Sequence, residues 1–193
     1  MDTHLQQDAH ADARIACHVV DIADGRLDPA AAIEFVSDDA HGGIDVFIGR
    51  VRASSHGREC VGIHYDMFAP LALTVFRDTA AAAIARFGPK AKCYVAHARG
   101  KLAVGDLAVV IAFGSPHRDE AFRGCREVIE AVKHQAPIWK QEHFIDGHSE
   151  WSEGCSLCGH EPADATADGA AVTHAHAHDH HHDDHGHAHY QHG

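Results

Sequence analysis

At 193 residues and 45% hydrophobic content, the chain is long enough for one domain with a proper core and too short for two full ones. A formal net charge of −12 at pH 7 argues against a nucleic-acid or anionic-membrane binder, because such partners are drawn in by surplus Lys and Arg; a local basic pocket stays compatible with it. No apolar stretch approaches the ~20 residues of a membrane helix, and Met1 to Ala13 lacks a basic n-region and an apolar h-region, so a cytoplasmic protein is expected.

Residues 1–13 read as a disordered leader. Arg14 to Ile22 reads as a strand, and Asp28-Pro29 supplies an N-cap and a first-turn proline for a short helix ending near Asp38. Gly43 to Arg52 runs as a second strand, with Arg50 and Arg52 two apart and so on one face, before a polar loop from Ala53 to Glu59. Cys60 to Met67 is the next strand. An Ala-rich helix then starts at Pro70 and stops at Gly88-Pro89. Lys90 to Ala98 and Leu107 to Phe113 form an antiparallel pair, joined through Arg99 to Asp106, where Gly100 and Gly105 mark turns. Ser115-Pro116 reads as another N-cap and first-turn proline, and Ala121, Cys125, Val128 and Val132 recur at helical spacing up to Pro137. Ile138 to Ile145 is a last long strand, closed by the Asp146-Gly147 turn and a short return through Trp151. Residues 14–153 thus read as a single α/β domain.

Cys17, Cys60, Cys93 and Cys125 sit among apolar neighbours and read as buried core thiols in a reducing compartment. Cys155-Ser-Leu-Cys158-Gly-His160 offers three zinc ligands, with a fourth from His148 or the tail, although free or redox-active thiols fit equally. Residues 161–193 read as a disordered linker and tail in which ten histidines crowd His174 to His192. His174, His176, His178, His180, His181 and His182 are interleaved with Ala and Asp. Dense neutral imidazoles bind zinc, nickel or copper, and protonation near ~6.5 releases the metal; a solvated low-complexity end is the plainer alternative.

The helix from Pro116 to Gln135 carries His117-Arg118 at its start and Lys133 at its finish. At 1.5 Å per residue, the steps from Arg118 to Lys133 span roughly 22 Å, too far for both side chains to grip one small molecule. If both ends serve one site, a two-fold homodimer in which His117 and Arg118 approach the partner's pocket is the simplest solution. Free N–H groups and the helix dipole at the first turn favour an anion such as phosphate. The plainer alternative is that Lys133 complements the helix C-terminus while His117 and Arg118 are solvated. Lys140 follows Trp139, against which its stem can pack, and a desolvated lysine beside other cations moves protons near neutrality.

Four segments, Phe47-Ile-Gly-Arg-Val-Arg52, Gly100-Lys-Leu-Ala-Val-Gly-Asp106, Ser115-Pro-His-Arg118 and Lys133-His-Gln-Ala-Pro-Ile-Trp-Lys-Gln-Glu142, stand in one order and spacing. Over roughly residues 43–153 the chain resembles the large, catalytic subunit of molybdopterin synthase. The resemblance implies an α/β hammerhead fold with an additional antiparallel sheet. It also implies a central homodimer flanked by two small ubiquitin-like sulfur-carrier subunits, a heterotetramer. The carrier's C-terminal Gly-Gly thiocarboxylate would enter the pocket, and two sulfur transfers to cyclic pyranopterin monophosphate would make the dithiolene that later binds molybdenum. Catalysis would require no cofactor.

Carried over residue by residue, the resemblance implies substrate contacts from Arg50, Val51 and Arg52, with His117 and Arg118 supplied by the neighbouring subunit. Lys133 and Lys140 would be the catalytic pocket lysines, with Gln141 and Glu142 completing the stretch. The Cys155/Cys158 motif departs from the family pattern, at a place where a more basic chain end is expected. Two rival readings fit the same sequence. A metal-handling accessory protein explains the tail but leaves Arg52, His117, Arg118, Lys133 and Lys140 unexplained, and a non-catalytic binder of a ubiquitin-like partner would show no turnover.

Overall fold

The computed structural model describes residues 12–152. The leader up to residue 11, the Cys155, Cys158 and His160 motif and the histidine tail lie outside the described residues. In chain order the elements are β1 (Ile15–Asp21), α1 (Pro29–Val36), β2 (Gly43–Arg50), β3 (Ser54–Ser55), β4 (Arg58–Met67) and α2 (Ala69–Phe87). There follow β5 (Lys92–Ala103), β6 (Leu107–Ser115), α3 (Arg118–Gln135), β7 (Ile138–Phe144) and β8 (Ser149–Trp151).

The strands run in the order β2-β6-β5-β4-β7-β8, all antiparallel, while β1 adds to β5 in parallel and β3 folds back on β4. This is the mixed α/β architecture expected. Strand β5 joins two parts of the sheet: its first half pairs with β6, and Gly100 to Ala103 pair with β4. The change of partner occurs around Gly100, whose φ of 103° is open to glycine. The sequence signal for a turn there marks a bend within a continuing strand.

Alternate residues of β5 and β6 feed two cores. Cys93, Val95, Val109, Ile111 and Phe113 pack with α2 and α3, whereas Ala96, Ala98, Ala108, Val110 and Ala112 pack with Ala32 and Val36 of α1. Burial on both faces explains why Leu107 to Phe113 is a continuous apolar run and does not alternate. Cys60, Cys93 and Cys125 are buried free thiols, and burial pushes the Cys125 thiol up to about 12.

Asp28 caps α1 as its sequence suggests, accepting from the Ala30 N–H at 2.8 Å. The other expected cap is corrected. β6 continues through Ser115, which pairs with Gly43 and is fully buried, so the N-cap of α3 falls to His117, with no side-chain cap bond, and Pro116 precedes the helix. The expected polar loop at 53–59 also contains order: Ser54-Ser55 and Arg58-Glu59 pair around a tight turn at His56 and Gly57, both at positive φ.

Candidate active site

The last turn of α3, the end of β2 and the paired strands β4 and β7 enclose a cavity of about 540 Å³. Four cations line it, Arg50, Arg52, Lys133 and Lys140, against one carboxylate, Glu142. In a chain whose net charge is −12, this local excess of positive charge marks a place for an anion.

Each cation is held differently. Arg50 ends β2 beside an irregularity in its pairing with β6. Its Nε donates to the Gly105 carbonyl at 3.0 Å, and Gly105 can present that carbonyl because its φ of 92° suits glycine. Lys140 is three-quarters buried and donates from Nζ to Glu142 Oε1 at 2.9 Å. Ser55 in the small hairpin donates from Oγ to the same oxygen at 2.7 Å. Burial pushes the Glu142 carboxyl upward, but the hydrogen bonds from Lys140 and Ser55 and the charges of Lys140 and His56 outweigh it. The group is held below the usual carboxylate range. Lys133 and Arg52 are exposed and form no ion pair among the described residues, so their charges are free to meet a ligand.

Lys133, Lys140, Arg50, Arg52 and Glu142 therefore come together from separate segments. Val51 is buried among the α1 core residues, with its backbone bonded to Asp106 and Gly105, and does not line the cavity. Gln141 alternates with Lys140 and Glu142 along β7, pairs with Trp151 of β8, and is likewise absent from the lining. His117 and Arg118 stand at the far end of α3, packed near Gly43, outside the cavity of their own chain. The first turn of α3 also carries Asp119 and Glu120, so its dipole is already complemented by carboxylates.

Sequence reasoning missed Ser55, Cys60, Ile63 and Tyr65 as lining residues. The usable signal for Ile63 and Tyr65 was alternation along β4, whereas Cys60 is out of phase with them and reaches the same cavity only past the pairing irregularity between Cys60 and Gly62; only the pairing of β4 with β7 shows which face meets the cations. Among the described residues no group of three or more His, Cys, Asp or Glu side chains is arranged to hold a metal, and no helix is long and apolar enough to cross a membrane.

Residues 22–135 match the family model described as MoaE protein. The molybdopterin synthase catalytic subunit of Synechococcus elongatus is 43% identical over 141 residues, covering 73% of this chain and 86% of that relative. Among solved structures, molybdopterin synthase from Staphylococcus aureus superposes with a TM-score of 0.65 at 29% identity, over 70% of this chain and 96% of that one. The complex of subunits 1 and 2 of molybdopterin-converting factor from Helicobacter pylori gives a TM-score of 0.57 at 21% identity, over 75% and 93%, a likeness of fold. By the extent of the family match and the identity to a relative of nearly the same span, the chain belongs to the MoaE family of molybdopterin synthase catalytic subunits.

Proposed function

We propose that this chain transfers sulfur from the thiocarboxylated C-terminus of a small ubiquitin-like carrier to cyclic pyranopterin monophosphate, forming the molybdopterin dithiolene. The observation that carries the reading is the convergence of Arg50, Arg52, Lys133 and Lys140 on one cavity, with Glu142 holding Lys140 in place. The carrier's sulfur attacks the side-chain carbon that carries the ring phosphate ester; the C–O bond to phosphate breaks, opening the cyclic phosphate to a monoester, and a thioester joins carrier and substrate. Water then adds to the carrier's acyl carbon, the carrier leaves as a carboxylate, and the sulfur stays on the substrate. A second carrier repeats the transfer at the neighbouring carbon, from which oxygen leaves as water. Arg52, with His117 and Arg118, holds the cyclic phosphate and stabilises charge as its ring opens, while Lys133 and Lys140 move protons during attack and release. Glu142 accepts from the Lys140 ammonium and orients it. The nucleophilic sulfur is the carrier's, so no cysteine of this chain need attack and no cofactor is needed.

The same reading includes a homodimer in which His117 and Arg118 reach the partner's cavity. Two features support it. Arg118 and Lys133 stand roughly 22 Å apart along one helix. Ile44, Phe47 and Ile48 on edge strand β2 and Phe122 on α3 are exposed apolar residues, the composition of a covered face. Two carrier subunits complete a heterotetramer in this reading; the complex of subunits 1 and 2 among the structural relatives supports a small-subunit partner. Four free cysteines among the described residues suit the cytoplasm. Residues 14–153 are the catalytic domain. Residues 154–160 and the histidine tail are an accessory that binds zinc, nickel or copper and that catalysis does not require; stripping metal with a chelator leaves sulfur transfer intact.

The test mixes the purified chain with thiocarboxylated carrier and the pterin precursor and looks for dithiolene product. Product formation supports the reading; a folded chain with active carrier and no product overturns it.

A further inference from the structure

The cationic rim accounts for an anion but not for the rest of a phosphorylated pterin, whose bulk is a flat heterocycle. On β4, Tyr65 lines the cavity and lies directly across from Lys140 on β7, so the two side chains leave the sheet as neighbours on one face. Ile63 and Val109 add apolar wall to the same cavity. The phenol ring is braced by a residue that the reaction does not use. His97 of β5 is buried and meets the Tyr65 ring edge-on, with centroids 4.9 Å apart and planes at 84°. His97 is itself fixed, since its Nδ1–H donates to the Ala98 carbonyl at 2.8 Å. Burial holds the imidazole down to about 4, so it is a neutral prop and adds no further cation to the site.

We propose that Tyr65 is the shelf on which the planar heterocycle of the substrate lies, and that His97 is the positioning residue that sets the angle of that shelf beside Lys140. This inference rests on the reading of the substrate as a phosphorylated pterin. Aromatic faces stack on heterocycles without needing a particular hydrogen-bond pattern, so the shelf binds the ring while the rim binds the phosphate. Recognition of the two halves is therefore separable.

The experiment is steady-state kinetics of the full chain with carrier and pterin precursor, combined with inhibition by two fragments, inorganic phosphate and a phosphate-free pterin. Tyr65→Leu is expected to raise KM for the precursor by roughly tenfold, with a smaller change in kcat, and Tyr65→Phe to recover most of the loss. Inhibition by phosphate is expected to be unchanged in Tyr65→Leu, while inhibition by the pterin weakens. His97→Leu is expected to raise KM and leave phosphate inhibition unaltered. Should the leucine variant at Tyr65 fail to fold, Tyr65→Met removes the ring at similar length. An unchanged KM in the folded variants, or parallel loss of phosphate and pterin inhibition, overturns the shelf. An unsubstituted chain that makes no dithiolene overturns the underlying substrate reading instead.

Discussion

Glu142 and His97 face the solvent proton concentration in opposite chemical forms, and both make the fold weaker in acid. The folded Glu142 carboxyl sits below its ordinary value of about 4.5, so its contribution is fully present above that value and is lost as pH falls through the folded value. For His97 the folded value of about 4 lies below the ordinary 6.5, so the unfolded chain binds the proton first. Its contribution is complete above pH 6.5 and declines from there down to about 4, on the order of 3 kcal/mol in all. Chemical denaturation across that range should show the decline, and His97→Leu should flatten it. At the site, Lys133→Ala is expected to abolish dithiolene formation while leaving the unfolding midpoint close to that of the parent, because Lys133 is exposed and carries no ion pair among the described residues. Near-normal turnover would remove Lys133 from the chemistry. The cavity cations were legible through the four ordered segments that carry the family resemblance, since spacing alone left Lys133 readable as a charge complementing the end of its helix. Tyr65, Ser55 and His97 were not, because nothing local distinguishes a tyrosine facing a cavity from one facing a core.

At the scale of elements, α3 shows what pattern reading can and cannot reach. Its apolar spacing located the helix and its buried face, where Ala121, Cys125, Val128 and Val132 all lie. Its start was displaced because Ser115 and Pro116 form a good local start signal, which the pairing of Ser115 with Gly43 overrides. Gly124 carries a second tertiary constraint within the same helix. A Cβ there would lie 2.6 Å from the Phe113 ring, which is fully buried. Gly124→Ala should therefore destabilise the protein by about 1–3 kcal/mol, against the roughly 1 kcal/mol gain that helix propensity alone would give. Thermal or chemical unfolding reads the sign directly. The two-residue strand β3 escaped pattern reading for a related reason: Ser54-Ser55 has no periodicity, and its order comes from pairing with β4 and from the bond between Ser55 and Glu142.

For the molecule as a whole, most strands and helices could be placed from residue patterns, while the sheet order could not, since β2 lies beside β6 and β7 beside β4 across long stretches of chain. That order is what gathers Arg52, Lys133 and Lys140 and leaves His117 and Arg118 at the opposite end of α3. In the proposed dimer each site is completed by a second copy of the chain, and pairing two inactive variants tests this most directly. Lys133→Ala and Arg118→Ala chains, each expected to be inactive alone, are unfolded together, refolded as a mixture and assayed for dithiolene. If sites are shared across the two-fold, half of the dimers are mixed, each mixed dimer has one intact site, and about a quarter of the parent activity returns. Activity no higher than that of either variant alone would contradict a shared site.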